Sequence, residues 1–558
     1  MGFGTVHPVL PDIEHLSLEA QVAQMIVVRT TGHLFDHEIQ YPAWEADDEA
    51  MTHCLETLGV GGVILLGGSA AEVGLRSQQF QSQSTIPLLI AADIEEGVGQ
   101  RFSGATWFPP PMALGQIAQQ DLPRAIALAE AMGAATAQEA LAIGLNWILA
   151  PVMDVNNNPA NPVINVRAFS DAPKIVSALG SAFICGAQRH PVLTAAKHFP
   201  GHGDTAIDSH LMLPTLCHDL KRLQTVELPP FEAAIATGVD AVMTAHLNLP
   251  ALDKALPATL SPPILTGLLR RDLGFDGLIV TDAMIMGAIA EAYGPYKAAV
   301  LAVEAGADIV LMPADPEGTI QAIAEAVTIG RLSSARIQAS LERIWRAKLK
   351  VTSPYSTSLN HSHAWEHTPP PAIQLDQLAQ PQVRQTAATI LREAQQQRGT
   401  IQTVSSHPSS FGRNLIVIDE VLDCRFLGRT APVIALPNQL GYTLHIAGCR
   451  SPMPVQDALE PIPTLLQLFI RGNPFRGTAQ VSQLAQTWLE TLLKSNTLQG
   501  VVIYGSPYVR DRILPQLPAT VPYCFTYGQM PEAQGIALEK LFQNSGGVAA
   551  VSDRTFTD

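Results

Sequence analysis

The chain has 558 residues, of which 47% are hydrophobic and 15% charged, too long for one hydrophobic core and in ordinary balance for two or three globular domains. Lys+Arg 34 against Asp+Glu 50 leaves a formal net charge of −16, a sign that argues against nucleic acid and against anionic membrane surfaces as partners. No basic segment followed by an apolar one opens the sequence and no apolar stretch is long enough to span a bilayer. The six cysteines (Cys54, Cys185, Cys217, Cys424, Cys449 and Cys524) are scattered without a CxxC pair, so a cytoplasmic protein with reduced, mostly buried thiols is expected.

Short apolar runs alternate with longer amphipathic or Ala-rich stretches over the first 350 residues. The runs are Met25-Val28, Gly62-Leu66, Pro87-Ala92, Trp147-Val152, Leu193-Ala196, Ala241-Ala245, Leu278-Thr281 and Asp308-Met312. They are continuous rather than alternating, as strands buried on both faces require. Eight such runs, most separated by room for a helix, predict a (β/α)8 TIM-type barrel. Charged residues stand just past the ends of these runs: Asp93, Asp154, Lys197 with His198, His246, Asp282 and Asp315. Parallel strands would bring these ends to one rim, where residues distant in sequence face a common pocket. Any one of these aspartates could equally cap a helix.

Past the barrel, residues 351–411 read as a linker, with Pro369-Pro370-Pro371, followed by a helical segment over Leu375-Gln397. Residues 412–558 carry their own apolar runs at Leu415-Ile418, Pro432-Leu436, Thr443-Ile446, Leu465-Ile470, Val501-Tyr504 and Tyr523-Tyr527. With helical patterns over Ala479-Ser495 and Pro531-Phe542, they predict a smaller three-layer α/β sandwich. The division is thus 1–350, 351–411 and 412–558. No glycine-rich phosphate-binding motif occurs in the last part.

The densest chemistry lies in the run Lys197-His198-Phe199-Pro200-Gly201-His202-Gly203-Asp204-Thr205-Ala206-Ile207-Asp208-Ser209-His210. Three functions can be built on it. A metal site from His198, His202, His210 and an aspartate is disfavoured, because Pro200, Gly201 and Gly203 break the helix that an i,i+4 histidine pair needs. In acid/base catalysis Asp208 and His210, two apart in an extended segment, would touch and poise a proton donor near neutral pH. A non-catalytic sugar-binding barrel would use the same groups only to hold hydroxyls. Asp282, placed by a strong β run, adds a rigidly held carboxylate of the kind a nucleophile requires. A carboxylate nucleophile with a separate proton donor is the minimal apparatus for retaining glycoside hydrolysis.

The run KHFPGHGDTAIDSH, with GFDGLIVTDAM downstream, resembles glycoside hydrolase family 3, and within it the β-N-acetylhexosaminidase branch that acts on peptidoglycan fragments. The resemblance covers about Leu16 to Lys350, and the second domain is similar to one that some members carry. It implies Asp282 as nucleophile, His210 as general acid and then base, and Asp208 as its partner. It also implies Lys197, His198, Arg167, Asp93 and Arg101 as the residues that bind the terminal sugar. The family commonly shows D-x-E-G-G-R-V-x-R; here the stretch is Asp93-Ile94-Glu95-Glu96-Gly97-Val98-Gly99-Gln100-Arg101, with Val98 in place of the inner arginine.

The expected protein is therefore a metal- and cofactor-free exo-β-N-acetylglucosaminidase of peptidoglycan recycling, monomeric or homodimeric, acting on a small carbohydrate. Its rivals are a β-N-acetylglucosaminide phosphorylase or β-glucosidase in the same site, a metal-dependent hydrolase, and a non-catalytic GlcNAc-binding scaffold.

Overall fold

In the computed structural model, residues 10–206, 212–352, 372–401, 412–421, 424–451, 461–471 and 479–542 are described. The chain divides into two compact units, Met1–Ala387 and Ala388–Asp558.

In the first unit every apolar run of the sequence becomes a strand: β1 Ile26–Thr31, β2 Gly62–Leu66, β3 Leu89–Ala92, β4 Trp147–Ile148, β5 Leu193–Phe199, β6 Ala241–Thr244, β7 Leu278–Val280 and β8 Val310–Leu311. All pair in parallel, in the order β7-β6-β5-β4-β3-β2-β1-β8. A parallel bridge from Val280 to Ile309 joins the two ends of that order, with Thr281 N–H donating to Ile309 O at 3.0 Å. The sheet thus becomes a ring, the TIM-type barrel. β5 is buried at every position, because helices cover the outside and side chains fill the inside.

The intervening helices start where local chemistry dictates. Ser69 and Glu72 form a capping box on Ala70–Gln83. Asp121 caps Leu122–Ala142, whose first turn holds a proline. Asp315, one of the aspartates expected at the rim of the pocket, is instead such a cap. It accepts the Gly318 N–H at 3.0 Å and the Tyr296 hydroxyl at 2.6 Å. With Pro316 following, its position meets the requirements of a helix start; Oδ1 makes the cap and Oδ2 is taken by Tyr296.

The second unit holds a six-stranded sheet in the order β11-β10-β12-β13-β14-β9. Its strands are β9 Gln396–Arg398, β10 Gly412–Ile418, β11 Tyr442–Ala447, β12 Thr464–Ile470, β13 Leu498–Gly505 and β14 Tyr523–Thr526. One face, with Ile416, Phe469, Val502 and Tyr504, forms a core with Val433, Ala537 and Leu538 from helices Pro432–Gln439 and Pro531–Leu541. Helix Ala479–Lys494 packs against β10, β12 and β13, whose alternate residues Leu415, Leu468 and Ile503 are also fully buried. The result is the α/β sandwich.

Three expectations are corrected here. The run Pro432-Leu436 is helical, since Pro432 presets the first turn and burial falls on Val433 and Pro437, one helical turn apart. The helical segment expected over Leu375-Gln397 narrows to Pro381–Ala394 and ends in β9, an edge strand antiparallel to β14. None of the cysteines is disulfide-bonded; Cys54 and Cys524 are buried, but Cys185 and Cys217 are exposed, against the expectation of mostly buried thiols. Among the described residues no helix is long and apolar enough to cross a membrane.

Candidate active site

The C-terminal ends of the barrel strands bring the expected sugar-binding residues together. Asp93 follows β3, Arg167 ends a short turn of 3-10 helix (Asn165–Arg167) after β4, and Lys197 and His198 lie in β5 itself. The Lys197 ammonium, 1% exposed, sits 2.6 Å from Asp93 Oδ1 and 2.7 Å from Glu95 Oε1. Arg167 grips Glu95 with both arms of its guanidinium, Nε to Oε2 at 2.9 Å and Nη2 to Oε1 at 2.8 Å. Arg101 donates from Nε to the Asp93 carbonyl at 2.9 Å.

Below this layer Asp154, with no exposed surface, organises the start of the loop after β5. It accepts from His198 Nδ1 at 2.8 Å, from the His198 backbone N–H at 3.2 Å and from the His202 backbone N–H at 2.6 Å. With Nδ1 donating to the carboxylate, His198 Nε2 is left facing Arg167 Nη2 at 3.5 Å. The peptide bonds Lys197-His198 and Phe199-Pro200 are cis.

Each buried carboxylate here is thus met by cations or hydrogen-bond donors, as burial demands. Burial alone would raise the Asp93 carboxyl, but the Lys197 and Arg101 charges outweigh it and hold it below the ordinary value. The same contest at Glu95, won by Arg167 and Lys197, holds that carboxyl well below the ordinary value. Burial also opposes the ionised form of Asp154, and His198 overcomes it, so the shift is again downward. Burial disfavours the charged form of Lys197, but Asp93 and Glu95 outweigh it and raise its value. His202 is different: burial pushes its imidazole down to about 4 against the pull of Asp154 and, more weakly, Asp282. It is neutral at pH 7, and Nδ1 shares a hydrogen bond of 2.9 Å with the Thr205 hydroxyl.

Asp282 lies just past β7, half-buried, with Oδ1 accepting the Ala283 N–H at 2.8 Å. Its charge acts on His202, which links it to the cluster built around β3 to β5. His246, after β6, bonds Thr259 Oγ1 through Nδ1 at 2.8 Å and the Ala283 carbonyl through Nε2 at 3.1 Å, so it braces the backbone beside Asp282. Asp208 and His210 lie outside the described residues.

Two residues of the cluster had no role in the sequence reading. Glu95 stands two residues past Asp93, and only its pairing with Arg167 and Lys197 shows its place at the centre. Asn161 ties the loops after β4 and β5 together: Nδ2 donates to the carbonyls of His202 and Gly203, each at 2.9 Å, while Oδ1 accepts from Val163 and Ile164 N–H. Gly203 is needed in that seam, because a Cβ there would fall 1.8 Å from the Val155 carbonyl oxygen. Asp204 turns the other way, to His218 Nε2 at 3.0 Å.

Among the described residues the one set of groups spaced to hold a metal ion is His33 and Glu38 on the loop after β1 with Glu72 in the first turn of helix Ala70–Gln83. The Gly68 N–H donates to His33 Nε2 at 3.1 Å. The ring proton therefore stays on Nδ1, the atom that faces both carboxylates, and no lone pair is offered to an ion there.

Sequence comparison decides the family. The glycosyl hydrolase family 3 N-terminal domain matches residues 17–347, the whole barrel, and the bacterial glycosyl hydrolase family 3 C-terminal domain matches residues 405–543. The chain belongs to glycosyl hydrolase family 3. It is 37% identical to a β-hexosaminidase A from Pseudoalteromonas piscicida over 341 residues, 55% of this chain and 56% of that protein. It is 30% identical to a β-N-acetylglucosaminidase/β-glucosidase from Cellulomonas fimi over 326 residues, 57% of each. The chain therefore spans little more than half the length of these relatives. Among solved structures, a family 3 β-N-acetylglucosaminidase from Paenibacillus sp. str. FPU-7 superposes with a TM-score of 0.75 at 28% identity, covering 95% of this chain and 97% of that one.

Proposed function

We propose that this family 3 chain is a retaining exo-β-N-acetylglucosaminidase that releases a terminal β-linked GlcNAc. The observation that carries the reading is the convergence of Asp93, Arg167, Lys197 and His198 on one end of the barrel that also presents Asp282. Ring hydroxyls of a terminal sugar find both donors and acceptors there, already held in place by one another, so little reorganisation accompanies binding. Asp282, braced by the Ala283 N–H, attacks the anomeric carbon. His210, paired with Asp208, protonates the departing oxygen and then takes a proton from the water that releases the sugar. Names of the relatives, β-hexosaminidase and β-N-acetylglucosaminidase, support GlcNAc as the sugar. The branch resemblance offers muropeptide fragments as one source of that sugar, and β-linked aminosugar oligomers are the other.

The test is release of p-nitrophenol from its β-N-acetylglucosaminide, without added metal, by wild type, Asp282→Asn and His210→Ala. Wild type turns over, and Asp282→Asn loses at least about a thousandfold. His210→Ala loses less, because p-nitrophenolate departs with little protonation. Activity on the β-glucoside alone would overturn the sugar assignment, and inactivity on both would overturn the glycosidase reading in favour of a sugar-binding protein. GlcNAc 1-phosphate as the main product in phosphate buffer would make the enzyme a phosphorylase.

A further inference from the structure

The loop after β1 leaves large aromatic rings in water. Phe35 is 61% exposed and Tyr41 51% exposed, and nothing in the barrel requires either. The rings are nonetheless held. Tyr41 stacks near Trp44, with centroids 6.3 Å apart, and the Arg29 guanidinium lies 5.4 Å from the Tyr41 ring centroid and 5.6 Å from that of Trp44. Arg29 is fixed in turn by Glu45, Nη2 to Oε1 at 2.8 Å, and the loop is tied to β1 by Thr30 Oγ1 donating to the Ala46 carbonyl at 2.7 Å. Phe35 stacks on His37 at 5.8 Å.

These rings stand on the end of the barrel that carries the buried cluster, since β1 is parallel to β3, β5 and β7. Hydrogen bonds tie the loops that lie between them in the barrel order. His33 accepts the Gly68 N–H, Ala70 N–H donates to the Ser103 carbonyl, and Arg101, close by in the same loop, holds Asp93. The loops after β1 and β2 are also acidic. Between Arg29 and Arg76 the sequence has no lysine or arginine, while Asp36, Glu38, Asp47, Glu49 and Glu72 lie on these loops or the first turns that follow. Arg29 and Arg76 are themselves engaged by Glu45 and Asp48.

Resting on the glycosidase reading above, we infer that the loop after β1 is a leaving-group subsite, with Phe35 and Tyr41 as stacking platforms, and that it selects uncharged β-linked aminosugar oligomers over anionic muramyl peptides. A β-linked pyranose with equatorial substituents presents flat faces of C–H bonds, which stack on preorganised aromatic rings, and an edge of hydroxyls and amides that tolerates a polar surround. A muramyl peptide brings several carboxylates into a field of the same sign, which slows encounter and weakens binding.

The experiment compares kcat/KM for p-nitrophenyl β-N-acetylglucosaminide, chitotetraose and GlcNAc-anhydromuramyl peptide, with wild type, Phe35→Ala, Tyr41→Ala and Glu38→Gln, at low and high salt. In either aromatic variant the chitotetraose to p-nitrophenyl ratio falls about 3- to 10-fold, through KM, as expected for one lost stacking contact. Wild type prefers chitotetraose to the muramyl peptide by at least about tenfold at low salt, and the preference narrows with added salt and in Glu38→Gln. A ratio unmoved by both aromatic variants overturns the platform, and a wild-type preference for the anionic substrate overturns the selection. If wild type turns over none of the three, it is the glycosidase reading that fails.

Discussion

Lys197 Nζ lies 2.7 Å from Glu95 Oε1, and neither side chain is more than 3% exposed. The pair joins β5 to the loop after β3, and Arg167 closes it from the loop after β4. Lys197→Met leaves buried Glu95 and partly exposed Asp93 with one cation fewer, and is expected to destabilise the first unit by about 3–5 kcal/mol. The lowered Glu95 value means its share of stability is present above the unfolded value, about 4.3, and is lost as pH falls through the lower folded value. Raised Lys197 works in the other direction, its share being present below about 10.4 and lost as pH rises through the folded value. Urea unfolding across pH checks this: the gap between wild type and variant is widest between those limits, and an equal gap at every pH would refute the pairing.

Asp154 is the acceptor for His198 and for the backbone entering the loop after β5. Asp154→Asn keeps the shape but removes the charge and points an amide N–H at one of the donors. A loss of about 2–4 kcal/mol is expected, with kcat/KM falling about 100-fold as His198 and the loop lose their alignment. The Asp154 carboxyl is held low, so its contribution is lost as pH falls, and the variant should show a flatter acid limb in thermal melts. Identical acid limbs would count against an ionised Asp154.

Lys348 is fully buried, with Nζ donating to Gln24 Oε1 at 2.6 Å. Burial pulls its ammonium down to about 7. The unfolded chain binds the extra proton between about 7 and 10.4, so stability rises with pH across that window. Lys348→Met is expected to stabilise the barrel at pH 7 by about 1–3 kcal/mol, less whatever Gln24 loses, and the gain should shrink towards pH 10. Denaturant midpoints at the two pH values decide it; a destabilised variant at pH 7 would show that the charged form is well accommodated.

At Gly203 the seam between the loops leaves no room for a side chain. Gly203→Ala must displace one loop and is expected to cost about 1–3 kcal/mol and about 100-fold in kcat/KM. Gly428→Ala, where a Cβ meets nothing within 4 Å, should change stability by no more than about 0.5 kcal/mol. Kinetics and melts of the two variants side by side separate a site-specific effect from a general glycine effect.

The eight barrel strands were legible in the sequence because strands buried on both faces must be continuously apolar, and Asp93, Lys197, His198 and Asp282 were legible as polar residues at their ends. In the second sheet β10 to β14 carried apolar runs as well, whereas the edge strand β9, Gln396–Arg398, is polar and carried none; at Pro432-Leu436 a short apolar run fits either period and only packing on one helical face decides. Pairing was not legible. Glu95 meets Arg167 across a separation of 72 residues, and Lys197 meets Asp93 across 104. The D-x-E motif singles out Glu95 from Glu96 but not its partners, and nothing in the local sequence distinguishes Asp154 at the centre from Asp315 as a helix cap. Closure of the ring makes that distinction, because it sets which strand ends are neighbours and which carboxylates lose water and must find a cation.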